Sequence, residues 1–275
     1  MNIIYITGLS RSGTTYLSSE LVNELSAISI GESIKNIEIY QDDSELERYK
    51  KEDRKCTCGN YPNQCEFWGD ILSDAKTLKD REVFELILRK LKSDYSDAVI
   101  IDTSKTAKRL ERFYTKDLLN KYGINIIAIN LIRHCYGQID SYQSYHKKWN
   151  RKGIRGSIFT DAIYWLYKNY VNINFFKKSE IESKTIFYED LIFERDSTIS
   201  AVKDFVNNSF KQYSAHQPVM HEMSGNEGFK RNSNFKMSYK SSWMFSASLS
   251  IYSLLLFPVL YVNSIWYRKY GTKKL

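Results

Sequence analysis

The N-terminal stretch constrains the fold more than any other part of the chain. Residues 3–6 are apolar or aromatic, and a short polar loop between Gly8 and Gly13 follows them. Beyond the loop, Leu17 and Leu21 lie one helical turn apart. This order predicts a buried strand, a tight turn and an amphipathic helix. Because such a loop turns backbone N–H groups and the positive end of a helix toward one point, we predict an anion-binding site there.

The loop differs from a nucleotide-binding P-loop at one position. Residues 8–15 read G-x-x-x-x-G-T-T, whereas the P-loop reads G-x-x-x-x-G-K-[ST]. A P-loop kinase needs that lysine on the transferred phosphoryl group and the following hydroxyl on magnesium. Here Thr14 takes the place of the lysine, and the nearest cation is Arg11, inside the turn. The loop therefore predicts phosphate binding without the lysine of a kinase.

Alternating strand and helix patterns predict an α/β fold. Apolar runs at 27–30, 98–101, 124–131 and 185–187 follow the first strand, and helical patterns separate them. We predict a P-loop-like fold of three layers, in which helices flank a central parallel sheet of about five strands. No repeat or Pro/Gly/Ser linker divides the chain, so residues 1–275 are expected to form a single domain.

Residues 38–80 are polar and highly charged, and they predict a cap or insertion over the sheet. This stretch contains Cys56, Cys58 and Cys65, while Cys135 stands apart. A zinc site generally needs four ligands in two close pairs, and these three cysteines supply one pair and a single residue. We therefore expect reduced thiols and no metal, with a local disulfide and a zinc site as the alternatives.

Composition and charge limit the classes of partner and the cellular location that we expect. With 43% hydrophobic residues the chain can bury a core, and its net charge of +8 favours acidic partners. No signal-peptide pattern follows Met1, so we expect a cytoplasmic location. Residues 241–267 carry no charged side chain, and Pro258 interrupts them. We expect buried helices in this segment, with peripheral membrane contact as the alternative.

Several motifs, taken in their order along the whole chain, resemble one family. The chain resembles bacterial sulfotransferases that use 3′-phosphoadenosine-5′-phosphosulfate (PAPS) and are related to the tyrosylprotein and carbohydrate enzymes. Each motif is short, and their order carries the resemblance. The matching stretches are residues 10–15, Gly31 with Glu32, the cysteine-rich residues 56–68, residues 101–105, Arg133 with Ser141, residues 188–191, and Gly225 and Asn226 with Arg231.

The resemblance implies two anion sites for one PAPS molecule and no metal requirement. The N-terminal loop matches the site for the 5′-phosphosulfate, and Arg133 with Ser141 matches the site for the 3′-phosphate. The spacing agrees, because Arg133 follows a strand and Ser141 lies eight residues further on, in the next predicted helix. The residues predicted to bind the donor are Ser10, Arg11, Ser12, Gly13, Thr14, Thr15, Arg133, Ser141, Tyr188 and Arg231.

Sulfuryl transfer is an in-line displacement at sulfur, and it needs groups of opposite charge on the two sides. Arg11 is predicted to meet the charge that develops on the leaving oxygen, and Lys105 to hold the sulfonate oxygens. Glu32 matches the base of the tyrosylprotein branch and is the predicted general base. The histidines are competing bases, as in cytosolic members of the wider family.

The predicted acceptor is the hydroxyl of a saccharide or other small metabolite, and we expect no nucleic acid partner. Its pocket is expected between residues 38–80 and the helices after Ser141, where rings such as Tyr142 and Trp165 can stack on a sugar. Two other functions stay open. One is a P-loop-like kinase with Asp102 as the magnesium ligand, and the other is a non-catalytic protein of the membrane surface.

Overall fold

The computed structural model describes residues 1–148, 157–224, 239 and 241–271. Within them, six strands form one sheet, in which every neighbouring pair is parallel. In chain order the strands are β1 (Asn2–Gly8), β2 (Ile28–Gly31), β3 (Val99–Lys105), β4 (Asn125–Ile132), β5 (Ser183–Phe187) and β6 (Val219–Met220). They lie side by side in the order β5-β4-β1-β3-β2-β6. The predicted parallel sheet is confirmed, and each of the five predicted strands is present.

Helices connect the strands and cover the sheet. Two short 3-10 turns lie at Pro62–Gln64 and Ser242–Phe245. The α-helices are α1 (Thr14–Leu25), α2 (Ser33–Gln41), α3 (Asp43–Lys51), α4 (Gly69–Asp74), α5 (Asp80–Asp94), α6 (Ala107–Phe113), α7 (Lys116–Tyr122), α8 (Cys135–Lys148), α9 (Ile158–Lys178), α10 (Tyr188–Phe193), α11 (Arg195–Ser209), α12 (Ala247–Tyr252) and α13 (Phe257–Tyr270).

Alternate residues of β1 enter two different cores. Ile3 and Tyr5 belong to the core that contains Phe84 of α5, and Ile4 and Ile6 belong to the core on the opposite face, with α1 and α11. All four side chains are fully buried. A strand that is buried on both sides requires a helical layer on each face, so the predicted three-layer α/β arrangement is confirmed.

The loop after β1 lies at the point where the strand order reverses. The chain passes from β1 to β2 on one side of β1 and later to β4 on the other side. Open α/β sheets bind ligands in the crevice at the carboxyl ends of their strands at such a point. Because all the strands are parallel, their carboxyl ends share one edge. Arg11, Glu32, Lys105, Arg133 and Tyr188 lie at the ends of five different strands on that edge.

The sixth strand, β6, has no counterpart in the sequence prediction. Val219 pairs with Ile28, and Met220 pairs with Ser29 of β2. Two residues are too few to display the alternation that predicts a strand, and Pro218 precedes them. The pairing brings the following residues, His221 and Glu222, beside the stretch predicted as an insertion.

The stretch predicted as an insertion, residues 38–80, packs against the core on the α5 side of the sheet. Phe67 and Trp68 are buried in that core, and so are Ile71 and Leu72 of α4. The Trp68 indole N–H donates to the carbonyl of His221 at 2.7 Å. This contact joins the stretch to the segment that follows β6.

The C-terminal helices are only partly buried, which differs from the expectation for residues 241–267. Leu249, Leu256 and Val259 are buried, but Phe245 is 86% exposed and Leu254 is 83% exposed. An apolar run without charges does not reveal which of its faces meets a neighbour. The sequence therefore does not show which apolar side chains of this segment are buried and which are exposed. Within the described residues, no helix combines the length and the apolar character that crossing a bilayer requires.

Candidate active site

The loop between β1 and α1 turns through two left-handed residues. Arg11 has φ 73° and Gly13 has φ 102°, and the Ser12 N–H donates to the Leu9 carbonyl at 3.0 Å. A Cβ on Gly13 would lie 2.5 Å from Cδ2 of Tyr188, so only glycine fits. The N-cap residue of α1 is Gly13, and no side-chain cap bonds to the start of this helix among the described residues. The first N–H groups of a helix have no intrahelical partner, so those of α1 are suited to an anion.

Arg133 is fixed against this loop by several contacts. Its Nη1 donates to the Arg11 carbonyl at 3.0 Å, and its guanidinium carbon lies 4.7 Å from the centroid of the Tyr188 ring. The Trp165 indole N–H donates to the Arg133 carbonyl at 2.9 Å. The Arg133 side chain is buried, and its Nε has no hydrogen-bond partner among the described residues. This buried donor lacks the acceptor that such groups normally have.

The side chain of Arg11 turns toward α8. Its Nε lies 3.3 Å from the Ser141 Oγ, and its guanidinium carbon lies 5.5 Å from the centroid of the Tyr145 ring. Burial, followed by the charge of Arg133, lowers the pKa of Arg11. The predicted pair Arg133 and Ser141 is therefore brought together through Arg11, which contacts both.

Neither Arg11 nor Arg133 forms a salt bridge with a carboxylate in the part of the chain that the structure describes. The carboxyl group of Glu189 accepts the backbone N–H of His134 at 3.1 Å. Burial raises the pKa of Glu189 to about 7, although the charge of Arg133 acts to lower it, so at neutral pH this carboxyl group is partly uncharged. Buried cations are costly without a counter-charge. The arrangement of Arg11 and Arg133 is therefore suited to a bound anion.

Glu32 and Lys105 form a buried ion pair. The Lys105 Nζ lies 2.6 Å from the Glu32 Oε1, and Glu32 is 4% exposed. Lys35 lies 3.8 Å from the other carboxylate oxygen. Burial alone would raise the pKa of Glu32, but the charges of Lys105 and Lys35 outweigh it and lower the pKa to about 2. The predicted base and the predicted sulfonate-binding cation are therefore in direct contact.

Asp102 fastens the end of β3 to α2. It is fully buried and accepts hydrogen bonds from the Ser33 hydroxyl at 2.6 Å, the Tyr114 hydroxyl at 2.7 Å and the Ser104 N–H at 2.8 Å. Both of its oxygens are thus used within the protein. These bonds tie the end of β3, which carries Lys105, to the start of α2, and they argue against the magnesium role that a kinase would require.

Three of the four histidines considered as competing bases have contacts that the structure describes. The His134 ring stacks on Trp243 with centroids 4.8 Å apart, and burial with the charge of Arg133 lowers its pKa to about 4. His221 contacts Cys65, and His216 lies 2.9 Å from Asp97. The side chain of His146 lies outside the described residues.

Arg231, Trp165 and Ser12 are three further residues that the sequence singles out. Arg231 lies in the stretch 225–238, outside the described residues. Trp165 is fully buried and holds the backbone of Arg133, so the expectation that it stacks on a sugar is wrong. Ser12 is buried, and its hydroxyl has no partner among the described residues.

Gln138 contacts the loop, and the sequence analysis does not predict this contact. Its side-chain amide donates to the Ser10 carbonyl, at the entry to the loop. Gln138 and Ser141 are three residues apart on α8 and therefore face the same side. That spacing is the signal that identifies Gln138 once Ser141 is assigned. A small cavity lies beside it, lined by Leu9, Ser10, Gln138, Ile139, Tyr142, Asp161, Tyr164 and Trp165.

No protein-family model matches the chain, and no curated protein matches its sequence. Among solved structures, the sulfotransferase domain of the Synechococcus PCC 7002 olefin synthase aligns with a TM-score of 0.57 at 14% identity, over 96% of this chain and 94% of that domain. The sulfotransferase domain from the curacin biosynthetic pathway aligns at 0.47 and 17%, over 92% and 96%. A Chloroflexus aurantiacus protein with a provisional kinase assignment aligns at 0.41 and 12%, over 76% and 97%. The Synechococcus alignment shows that the chain has the α/β fold of a sulfotransferase domain.

Proposed function

We propose that this protein is a PAPS-dependent sulfotransferase of the bacterial branch related to the tyrosylprotein and carbohydrate enzymes. The observation that carries the proposal is the pair Arg11 and Arg133 at the carboxyl edge of the sheet. The Arg133 side chain is buried and Arg11 is half-buried, and within the described residues neither forms a salt bridge. Two neighbouring cations beside a helix N-terminus favour a ligand with more than one anionic group.

The proposed donor spans both ends of this arrangement. The loop N–H groups and the Ser12, Thr14 and Thr15 hydroxyls would take the 5′-phosphosulfate. Arg133, with its unpartnered Nε, would take the 3′-phosphate together with Ser141. Tyr188 packs under the Arg133 guanidinium, at a position suited to an adenine contact.

Arg11 connects the two proposed anion sites. Its carbonyl accepts from Arg133, and its guanidinium contacts Ser141. We propose that Arg11 exchanges its bond with Ser141 for the oxygen that bridges phosphorus and sulfur. In that position its charge stabilises the negative charge that the leaving phosphate gains.

The proposed chemistry requires the ion pair of Glu32 and Lys105 to open. A carboxylate with a pKa of about 2 is a weak general base at neutral pH. The sulfonate of the donor offers Lys105 another anion. When Lys105 moves to the sulfonate, its charge no longer lowers the pKa of Glu32. Burial then raises that pKa. Donor binding would thus prepare the base.

The proposed transfer forms one bond to sulfur and breaks another. Glu32 accepts the proton of the acceptor hydroxyl while the acceptor oxygen forms a bond to sulfur. The bond between sulfur and the bridging oxygen breaks, and its electron pair stays on the 5′-phosphate. The products are the sulfated acceptor, 3′-phosphoadenosine-5′-phosphate (PAP) and a proton that Glu32 returns to solvent. The acceptor hydroxyl is proposed to belong to a saccharide or small metabolite.

The proposal is tested by following radiolabelled sulfur from PAPS into a panel of saccharides, phenols and lipids. We expect a labelled product that depends on Glu32 and Arg133, and Arg112→Ala as a control should keep the activity because Arg112 pairs with Asp80 on the surface. The same panel is offered γ-labelled ATP with magnesium. Transfer of the phosphoryl group without transfer of sulfur would establish the kinase alternative instead.

We also propose that the C-terminal segment rests on an anionic membrane surface. Leu254, Leu255 and Phe257 are between 61% and 83% exposed, and they lie between α12 and the start of α13. Arg268 and Lys269 lie in the last turn of α13. Exposed apolar groups accompanied by cations are typical of helices that lie in a membrane interface.

A further inference from the structure

Three cysteines and one histidine converge on a single point beside β6. The Sγ atoms of Cys56, Cys58 and Cys65 and a ring nitrogen of His221 lie within 4.8 Å of one another. Cys65 lies at the centre of the contacts: its Sγ is 3.6 Å from Cys56 Sγ, 3.7 Å from Cys58 Sγ and 3.4 Å from His221 Nδ1. Cys56, Cys65 and His221 are buried, and Cys58 is exposed.

These separations match the edges of a zinc tetrahedron. Bonds of about 2.3 Å to sulfur and about 2.0–2.1 Å to nitrogen place two sulfurs about 3.8 Å apart, and sulfur and nitrogen about 3.6 Å apart. A disulfide would require about 2.05 Å between sulfurs. We propose that Cys56, Cys58, Cys65 and His221 bind one zinc ion as a closed structural site.

The choice of metal follows from the donor atoms. Thiolate sulfur and imidazole nitrogen in a tetrahedron favour zinc over magnesium or calcium, which select oxygen ligands. Four protein ligands fill the zinc coordination and leave no position for a substrate. The site is therefore assigned a structural role, and it takes no direct part in the sulfuryl transfer step proposed above.

The surroundings hold the ligands in place. The Cys56 N–H donates to the Asn60 carbonyl and the Gly59 N–H to the Cys56 carbonyl, both at 2.9 Å, which closes a turn around Cys58. The His221 ring stacks on Phe67 with centroids 5.5 Å apart. The backbone N–H of His221 donates to the Ser29 carbonyl at 2.7 Å. Ligands that are oriented by packing and hydrogen bonds bind a metal with little reorganisation.

The proposed zinc joins two distant parts of the chain at the edge of the sheet. Thr57 supports the same junction, since its N–H donates to the Glu222 carbonyl at 3.0 Å and its hydroxyl accepts the Glu222 N–H at 2.9 Å. Glu222 in turn packs against Gly31, where a Cβ would lie 2.9 Å from its Cγ. Zinc would thereby fix the segment that supports the backbone next to Glu32.

The cluster also explains why cysteine spacing alone predicts no metal. The three cysteines give one close pair and a single residue, and the fourth ligand is a histidine 156 residues beyond Cys65. The pairing of β6 with β2 brings His221 to the cysteines.

The direct test is the metal content of protein purified under reducing conditions without added metal. We expect one zinc per chain in the wild type and near-complete loss in Cys65→Ser and in His221→Ala. Two matched controls, Cys135→Ala and His216→Ala, should keep one zinc, because Cys135 is buried in another core and His216 pairs with Asp97. X-ray absorption at the zinc edge should give three sulfurs at about 2.3 Å and one nitrogen at about 2.0–2.1 Å.

A second measurement on the wild type guards against variants that do not fold. A chelator should lower the thermal midpoint of unfolding, and zinc but not magnesium should restore it. The proposal is overturned if the reduced protein neither carries nor takes up zinc, or if the Cys65 and His221 variants retain it. It is also overturned by bound iron in place of zinc, or by a disulfide between Cys56 and Cys65 in protein mapped without reductant.

Discussion

Lys105 Nζ lies 2.6 Å from Glu32 Oε1, across the ends of the neighbouring strands β3 and β2. Lys105 has a left-handed backbone with φ 72°, a conformation that costs a residue other than glycine about 1–2 kcal/mol. The buried ion pair and the hydrogen bonds to Asp102 accompany this strained residue. The two groups assigned opposite roles in sulfuryl transfer thus neutralise each other before a donor is bound.

Glu32→Gln should abolish most of the turnover while leaving donor binding intact. A positioned general base typically contributes about 100- to 10,000-fold to the rate, so we expect a loss in kcat of that order. Glu38→Gln is the matched control, because Glu38 lies on α2, the helix that Glu32 precedes, and pairs with Arg109 at the surface. Steady-state sulfur transfer and calorimetric titration with PAP separate the two effects. Near-normal turnover in Glu32→Gln would exclude this residue as the base.

The Glu32 carboxylate should make stability depend on acidity. Its pKa in the folded protein is about 2, below its ordinary value of 4.5, so the folded state binds this proton less readily than the unfolded state. The contribution is therefore complete above about pH 4.5 and is lost as the pH falls toward 2. At about 1.4 kcal/mol per pKa unit it amounts to about 3 kcal/mol. Urea unfolding of the wild type and Glu32→Gln checks this: their difference in free energy should shrink between pH 6 and 3, and a constant difference would contradict it.

Gly13→Ala should damage the loop far more than Gly59→Ala. Both glycines have left-handed backbones, with φ 102° and 93°, so both substitutions carry backbone strain. A Cβ at Gly13 would meet the Tyr188 ring, whereas no atom of a described residue lies within 4 Å of a Cβ at Gly59. We expect loss of PAP binding in Gly13→Ala alone, measured by calorimetry with thermal unfolding as the check on folding. Equal effects in the two variants would show that strain, and not the contact with Tyr188, decides the outcome.

The exposed apolar segment should direct the protein to anionic vesicles. Co-sedimentation should be stronger with phosphatidylserine vesicles than with phosphatidylcholine alone, and salt should weaken it. Replacing Leu254, Leu255 and Phe257 by serine should abolish it. Phe193→Ser is the control, since Phe193 is 64% exposed on α10, outside this segment. No preference for the anionic vesicles, or self-association that buries the segment, would refute membrane contact.

The sequence predicts those features of the fold that follow from local residue patterns and from the geometry of a parallel sheet. The apolar run before Gly8 and the helical spacing after it are local, and parallel strands end at one edge, so Arg133 could be placed near the loop. The contact between Arg11 and Ser141 depends on side-chain orientation, which no spacing encodes. His221 reaches Cys65 through a two-residue strand. Such long-range pairings are decided by tertiary packing, so the sequence alone did not reveal them.

The central claim is a site for two anionic groups on one adenosine, and nucleotide binding by calorimetry tests it most directly. Wild-type protein should bind PAP without magnesium, bind AMP more weakly because AMP lacks the 3′-phosphate, and bind no ATP with magnesium. Arg133→Ala should lose about 10- to 150-fold in PAP affinity, equivalent to the roughly 1.5–3 kcal/mol of one charge-assisted hydrogen bond, and Arg112→Ala should lose none. Tight binding of ATP with magnesium, with PAP and AMP bound equally, would contradict the account.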